Sequence, residues 1–397
     1  MKYENWISYR YLIASKGRFL TFLNLISIIG VAIGVTSLIV VTGIMTGFSN
    51  NLKEKIIGAT PHIMIEKEVG ITDYQKVKEK VLGIEGVAGA SAYVQGSLFI
   101  DNEGEALGIV LRGIEPAGES SATKVQEYLK EGKITDLAED KIFIGTQLAR
   151  YFDYRVGDTL TLISPRSGLK GGGWNYDLQI AGIFETGMSD FDMSLVLVNI
   201  AKAQEIFNMS SDVVSGIGVR LVDPYMASDI KMDLYEALGY EYLLKSWIDI
   251  NRNLFEALFL EKWGLFIVLT MMVLIASFNI ISTLVVTITS KIHDIGILQS
   301  IGVSRKSIRK IFTKQGIYIG MLGTFWGLVG GCGLAYILRT YIEVPQEIYS
   351  IDHVPIELQL TDIVIIVICT MIISYLASIY PAFKASRLQP VEALRYE

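Results

Sequence analysis

The side chains that ordinarily carry chemistry are few and scattered in this sequence. There are three histidines, His62, His293 and His353, and two cysteines, Cys332 and Cys369. They lie far apart, and none recurs at the spacing of a metal site. No HExxH, CxxC or GxSxG pattern is present. The Gly132-Lys133 pair is followed by Ile134 and lacks the upstream glycine of a phosphate-binding loop. The glycines at 171–173 run into Trp174 and do not open a nucleotide-binding helix. The sequence therefore supplies no catalytic residue, no metal ligands and no nucleotide site. An enzyme is not expected, nor a cofactor held by this chain.

Two stretches have the composition of binding surfaces instead. Residues 164–178, SPRSGLKGGGWNYDL, lie between two strand-like segments. Arg166 and Lys170 place positive charge there, and Trp174 and Tyr176 place aromatic rings on what reads as a hairpin tip. Basic and aromatic side chains on a loop are a common hot-spot composition. A flexible tip with no partner fits the same residues. Residues 291–310, KIHDIGILQSIGVSRKSIRK, form the second stretch. In helical projection Ile292, Ile295, Leu298, Gln299 and Gly302 share one face. Asp294 and Gln299 offer polar contacts, and Gly296 and Gly302 punctuate the run. Such a helix either rests on lipid headgroups or docks onto a partner. Asp294 and Gly296 are poor choices for lying on anionic lipid, which favours docking.

The elements around these stretches are those of a membrane protein. Of 397 residues 51% are hydrophobic and only 19% charged, and the mean hydropathy is +0.42, unlike a soluble domain. Runs without Asp, Glu, Lys or Arg occupy 20–52, 263–290, 315–338 and 363–383. Each is at least the roughly 20 residues that cross the hydrocarbon core as a helix. The first run is too long for a signal-peptide core and has no small-x-small cleavage site after it. The N-terminal flank, the 291–314 loop and the C-terminal tail together carry thirteen basic and four acidic residues. The loop between spans three and four has Arg339 against Glu343, Glu347, Asp352, Glu357 and Asp362. The positive-inside bias places both termini and the 291–311 loop in the cytoplasm.

The expected organisation follows in order: an interfacial N-terminal helix (1–18), span one (19–48), a large α/β (α+β) outer domain (49–262), and span two (263–290). A cytoplasmic loop (291–311), span three (312–338), an outer loop (339–361), span four (362–383) and a cytoplasmic tail (384–397) complete it. The fold class is thus an α-helical membrane protein with four transmembrane helices and an extracytoplasmic domain between helices 1 and 2. Residues 53–262 hold 21 basic and 32 acidic residues, so nucleic acid is not a partner. At about 215 residues this domain can bury its own core, in two lobes.

Within it, strands are expected at 62–66, 97–100, 109–112, 142–144, 158–163, 179–184, 195–198 and 217–221. Helices are expected at 73–82 with Thr72 as N-cap, at 146–152, at 201–207, and from Asp223-Pro224 to Leu238. A further helix, 251–263, runs straight into span two. Tyr3, Trp6, Tyr9 and Tyr11 suit an interfacial helix. Span one has small residues at Gly30 and Gly34, and span three a glycine ladder, Gly316, Gly320, Gly323, Gly327, Gly330, Gly331 and Gly333, which suits close helix contact. Cys332 and Cys369 read as packing thiols. No ionisable residue lies mid-span, which disfavours an ion-coupled transporter.

Three motifs resemble one family end to end: SIIGVAIGVTSLIVVTGIMTGFSNNLKEKIIGATPHIMI at span one and its exit, the loop IHDIGILQSIGVSRKSIRKIF, and the ending YPAFKASRLQPVEALRYE. The chain is similar to permeases of lipoprotein-releasing ABC transporters of the LolC/LolE type, within the wider class that includes MacB-type and FtsX-type permeases. The resemblance implies an inner-membrane permease that pairs with a second permease, a copy or a paralogue. It implies a separate LolD-type ATPase, which binds ATP and Mg and docks onto Asp294, Ile295, Gly296, Ile297, Leu298 and Gln299. It also implies an acylated lipoprotein entering from the outer leaflet and a periplasmic LolA-type carrier receiving it. The family often has Glu where Asp294 stands. The place matching the family's carrier hook is 164–178, with Arg166, Lys170, Trp174 and Tyr176, and its glycine-rich tip departs from that hook. Met45, Phe48, Phe259 and Phe266 would line the lipid cavity. The alternatives are a MacB-type exporter of amphipathic drugs or peptides, usually fused to its ATPase, and an FtsX-type permease controlling cell-wall hydrolases, with a much smaller outer domain.

Overall fold

The computed structural model describes residues 3–13, 18–102, 105–138, 140–164, 174–342 and 354–387. They fall into two compact units, Asn50–Glu256 and a helical unit drawn from the chain before and after it. The helices, in chain order, are α1 (Tyr3–Ile13), α2 (Arg18–Ala59), α3 (Tyr74–Leu82), α4 (Pro116–Ala122), α5 (Val125–Tyr128), α6 (Thr146–Phe152) and α7 (Ser189–Ser194). They continue with α8 (Ile200–Ile206), α9 (Ala227–Leu238), α10 (Trp247–Ile250), α11 (Arg252–Ser290), α12 (Ile292–Ser300), α13 (Arg305–Tyr341) and α14 (Leu360–Ser386). The strands are β1 (Ile63–Thr72), β2 (Val87–Asn102), β3 (Glu105–Ile114), β4 (Leu129–Glu131), β5 (Lys141–Gly145), β6 (Thr159–Ser164), β7 (Trp174–Phe184), β8 (Leu195–Asn199), β9 (Val213–Leu221) and β10 (Leu243–Ser246).

Among the described residues four helices, α2, α11, α13 and α14, are long and apolar enough to cross a membrane. Lipid tails are as apolar as leucine, so such helices associate through close packing and buried polar contacts. The glycine ladder of α13 does this on two faces. A methyl group at Gly323 or Gly327 would come within 2.6 Å of Cβ of Val31 or Val35 on α2, and one at Gly331 within 3.0 Å of Ile39 Cβ. Both series step by four residues, so one ridge lies along one groove. Around the helix, Gly316 and Gly320 take Ser378 and Ser374 of α14, each Cβ at 2.5 Å from the methyl position. Gly30 of α2 meets the Asn279 amide of α11, and Ser27 donates to Asn279 Oδ1 at 3.0 Å. Gly34 and Gly333 face no neighbouring atom, so they are not part of these contacts. Cys332 and Cys369, expected inside the packing, are exposed. Cys332 is one residue past Gly331, so it turns away from the Gly323–Gly327–Gly331 ridge.

The N-terminal helix α1 lies along α13. Ser8 Oγ donates to the Ile311 carbonyl at 2.8 Å, Tyr3 donates to Ser307 Oγ at 2.8 Å, and Lys314 donates to Asn5 Oδ1. Glu4, Ser8 and Leu12, spaced by four, are buried, whereas Tyr3, Trp6 and Tyr9 are exposed.

In the other unit one sheet runs β10-β1-β9-β2-β3-β8-β5-β7-β4, with β6 pairing both β2 and β7. The β3–β8 and β5–β7 pairs are parallel and the rest antiparallel. Ile63, Ile65, Ile100 and Leu111 are fully buried in its core, each contributing roughly 2–3 kcal/mol. A second apolar cluster holds Ile114, Phe143, Phe184 and Leu197. The helix α6 matches its expected bounds, and the β2–β3 hairpin closes with Asn102 opposite Glu105. Thr72 does not cap α3: it ends β1, and Asp73 follows in the left-handed region at φ 49°. Val87–Asn102 is a single strand of 16 residues, most of it unannounced by its alanines, glycines and serines. Those small residues admit neighbours: a methyl at Gly89 would lie 2.2 Å from the Ser121 carbonyl oxygen, and one at Gly96 2.4 Å from the Phe207 ring. His62, just before β1, is buried, and its Nδ1 accepts the Leu221 N–H at 3.0 Å. Burial, aided by nearby Arg220, pulls its pKa down to about 4.

Candidate functional site

The loop after α11 is tightly specified by local chemistry. After Ser290 the chain turns at Lys291, and α12 runs for nine residues. Its C-terminus is a Schellman closure: Gly302 N–H donates to the Gln299 carbonyl and Val303 N–H to that of Leu298, both at 3.0 Å. Gly302 sits at φ +95° with open space around its α-carbon, so backbone conformation is what requires glycine there. Ser304 then caps α13, accepting the Ser307 N–H at 3.3 Å.

This geometry divides the six residues 294–299. Ile295 and Gly296 are buried. Ile295 belongs to one apolar cluster with Ile288 of α11, Ile308 and Phe312 of α13, and Ala382 and Ala385 of α14. Leu298 and Gln299 are half-buried, and Gln299 Nε2 is enclosed without a partner. Asp294 is partly exposed and accepts from the Lys291 ammonium at 3.0 Å. The outward face is His293, Ile297 and Ile301; Ile297 is 44% and Ile301 72% exposed. The face expected to meet a partner through Ile295 thus points into the chain, because the helix is apolar on both sides. The outward apolar pair Ile297 and Ile301, four apart, was readable as a second face. Tyr11 of α1 lies over this corner, with Lys291 Nζ 5.4 Å from its ring centre. Burial, with the Asp294 charge adding, pushes its hydroxyl up to about 12.

The aromatic residues of α11 form a second feature. Phe259, Trp263 and Phe266 stack edge to face, with centroids 6.3 and 5.8 Å apart, and all three are exposed. Phe259 and Phe266 are therefore joined through Trp263, which stands four residues after Phe259 and three before Phe266, a helical spacing already visible in the sequence. Met45 and Phe48 are half-buried on α2. On the same helix Gly43 and Gly47 receive the segment 355–358, and Glu357 N–H donates to the Gly43 carbonyl at 3.0 Å.

Of the hairpin residues, Arg166 and Lys170 lie outside the described residues. The β6–β7 ladder ends with Ser164 opposite Trp174. Tyr176 is half-buried against the main core and is not the free aromatic surface expected of it. It faces the core side of β7, in step with buried Leu178 and Ile180.

Residues 266–390 match the FtsX-like permease C-terminal model, and residues 24–234 match the MacB-like periplasmic core domain. The sequence is 32% identical to the lipoprotein-releasing system transmembrane protein LolC of Neisseria meningitidis, over 99% of each chain. The chain belongs to the LolC/LolE family. Similar LolC/LolE relatives include LolC of Xylella fastidiosa, 31% identical over 98% of each chain, and LolE of Haemophilus influenzae, 26% identical over 98% of each. In this LolC/LolE-family chain both matched regions occur together, as in a membrane permease with a periplasmic core domain.

Proposed function

We propose that this chain is the permease subunit of an ABC transporter that releases lipoproteins from the inner membrane. The observation that carries this reading is the end-to-end match to lipoprotein-releasing relatives. In it, α2, α11, α13 and α14 span the inner membrane, both termini and α12 face the cytoplasm, and Asn50–Glu256 lies in the periplasm. The charge asymmetry of the flanks supports this orientation.

ATP and Mg belong to a separate LolD-type ATPase. It seats on the outward face of α12, with Ile297 and Ile301 entering its groove and Asp294 at the edge. Ile295 and Gly296 act on the other side. The buried cluster around Ile295 includes residues of α11, α13 and α14, so a push on α12 reaches three spans through packed side chains rather than a flexible loop. A second permease, a copy or a paralogue, completes the lipid-accepting cavity. Met45, Phe48, Phe259 and Phe266, with Trp263, present apolar surface to the acyl chains of the lipoprotein. Closure drives those chains out to a periplasmic LolA-type carrier docked at residues 164–178, where Arg166, Lys170 and Trp174 contact it and Tyr176 anchors the strand.

The test is reconstitution in proteoliposomes with the ATPase, an acylated lipoprotein and the soluble carrier. ATP-dependent appearance of lipoprotein on the carrier is expected. Lipoprotein that stays in the membrane while the assembled complex hydrolyses ATP would refute the reading.

A further inference from the structure

A polar layer crosses the helical unit between two apolar clusters. On its outward side Leu284 and Ile319 pack with Val31 and Val35. On its inward side Ile288 and Phe312 pack with Ile295 of α12. Thr287 of α11 and Gln315 of α13 stand between these neighbours, and Asn24 of α2 is level with both. The helix contacts fix that level. Val31 meets Gly323 and Val35 meets Gly327, so α2 and α13 run the same way, and Asn24 and Gln315 each stand two turns before Val31 and Gly323. Gly30 meets Asn279, and Ser27 shares a hydrogen bond with Thr283, so α11 runs the opposite way. Asn24, one turn before Ser27, therefore faces the turn of Thr287, one turn after Thr283. All three side chains are buried, at most 2% exposed. Asn24 Nδ2 donates to the Leu12 carbonyl at 3.1 Å, which orients that amide. The other polar atoms of the three side chains, Asn24 Oδ1, Thr287 Oγ1, Gln315 Nε2 and Gln315 Oε1, are enclosed with no hydrogen-bond partner among the described residues. Buried amides and hydroxyls are costly in that condition, and native interiors rarely keep them so.

We infer that Asn24, Thr287 and Gln315 are positioning residues of the transport cycle: a polar latch, open in this arrangement of the spans and closed in the arrangement the ATPase drives. The set is self-complementary. Gln315 Nε2 and the Thr287 hydroxyl can donate, and Asn24 Oδ1 and Gln315 Oε1 can accept, so closing joins Gln315 to Asn24 on one side and to Thr287 on the other. A layer that only filled the bundle would need no polar atom, since leucine or methionine would pack there without the cost. The drive is adjacent. Ile288 directly follows Thr287, Phe312 lies one turn before Gln315, and both belong to the cluster around Ile295 of α12. Further out, a pocket of about 20 Å³ lined by Val31, Gly34, Met272, Ile280 and Thr370 leaves α2, α11 and α14 unfilled space in which to shift. Packed helices with two arrangements convert a small displacement into a discrete change of partners. This inference rests on the reading of α12 as the point where the ATPase acts, and it names the residues that register its push.

The test uses the full chain assembled with its ATPase and partner permease, with Gln315→Met and Thr287→Val as near-isosteric apolar variants and Thr287→Ser as the variant that keeps the hydroxyl. Thermal unfolding is followed without nucleotide and after trapping with ATP and vanadate. Gln315→Met is expected to raise the nucleotide-free midpoint and to lower the trapped one, each by at least about 2 °C. A merely structural role would move both midpoints the same way, and that result, or a lower nucleotide-free midpoint, would overturn the inference. Release of an acylated lipoprotein to the soluble carrier is then scored per ATP hydrolysed in proteoliposomes. Gln315→Met and Thr287→Val should each lower this ratio about tenfold, the double variant no further than either alone, and Thr287→Ser should restore it. Ratios equal to wild type, or losses that add in the double variant, would overturn the latch. Wild-type release with unaffected variants removes the latch and leaves the transport reading standing. ATP hydrolysis without release by wild type removes the transport reading, whereas opposite midpoint shifts in the two nucleotide states would still support the latch.

Discussion

Lys291 and Asp294 are joined by a 3.0 Å ion pair across the first turn of α12, with the Asp294 side chain 44% exposed. Such a half-exposed pair contributes less than about 1 kcal/mol. Asp294→Asn is therefore expected to leave thermal unfolding in detergent within about 3 °C of wild type while weakening co-purification with the ATPase. A large loss of thermal stability would show that Asp294 serves the fold, and unchanged co-purification would remove it from the docking edge.

The α13 ridge makes a sharper prediction. At Gly327 a methyl group would lie 2.6 Å from Val35 Cβ, a branched carbon fixed on its own helix. Gly327→Ala forces α2 and α13 apart, and a loss of roughly 1–3 kcal/mol is expected. Gly333 has no neighbour within 4 Å, so Gly333→Ala should be neutral or slightly stabilising, alanine being the better helix former. Equal effects in thermal unfolding would show that the ridge is not where these helices touch.

Acid should loosen the domain through His62. The unfolded chain takes up this proton near pH 6.5 and the folded one only near pH 4. Between those values the unfolded state holds more protons, so stability falls as pH drops, by up to about 1.4 kcal/mol per unit, and levels off below about pH 4. His62→Gln, which keeps a side-chain acceptor for Leu221 N–H, should flatten this slope in denaturant titrations between pH 7 and pH 4. An unchanged slope would assign the acid sensitivity to other groups.

The hairpin carries its own expectation. Replacing residues 170–174 by a short Gly-Ser turn should abolish carrier capture in a pull-down and leave ATPase assembly intact. The β6–β7 ladder continues from Ser164 opposite Trp174 down to Thr159 opposite Gln179, so the base has pairing enough to survive the change. Carrier binding that persists would sink the assignment.

These features were unequally legible in the sequence. Uncharged runs mark the four long apolar helices, because lipid tolerates little else. The α13 glycines announce close packing, but not which face meets α2 and which α14; that depends on where Val31 and Ser378 sit in space. Strand β2 was half hidden, since small residues that look like loop are there to admit Ser121 and Phe207. For α12 the motif marks the stretch 291–310, but not that its helix ends at Ser300, that α13 begins at Arg305, or which face of α12 turns inward. Ile292, Ile295, Ile297, Leu298 and Ile301 make it apolar all round, and only contact with α13 and α14 decides that Ile295 turns inward. Pairing of β2 with first β9 and then β6 is a long-range choice that local pattern does not show.

The most direct measurement compares ATP-driven lipoprotein release by wild type, Ile297→Glu and Gly296→Arg in the same proteoliposomes. Ile297 is exposed, so Ile297→Glu should fold with unchanged thermal stability, lose ATPase docking and lower release at least about tenfold, equivalent to about 1.4 kcal/mol of lost coupling or more. Gly296 is buried, so Gly296→Arg should break coupling by displacing α12 while the Asn50–Glu256 domain stays folded. Normal ATP-driven release from both variants would contradict the claim that α12 passes the work of the ATPase to the spans.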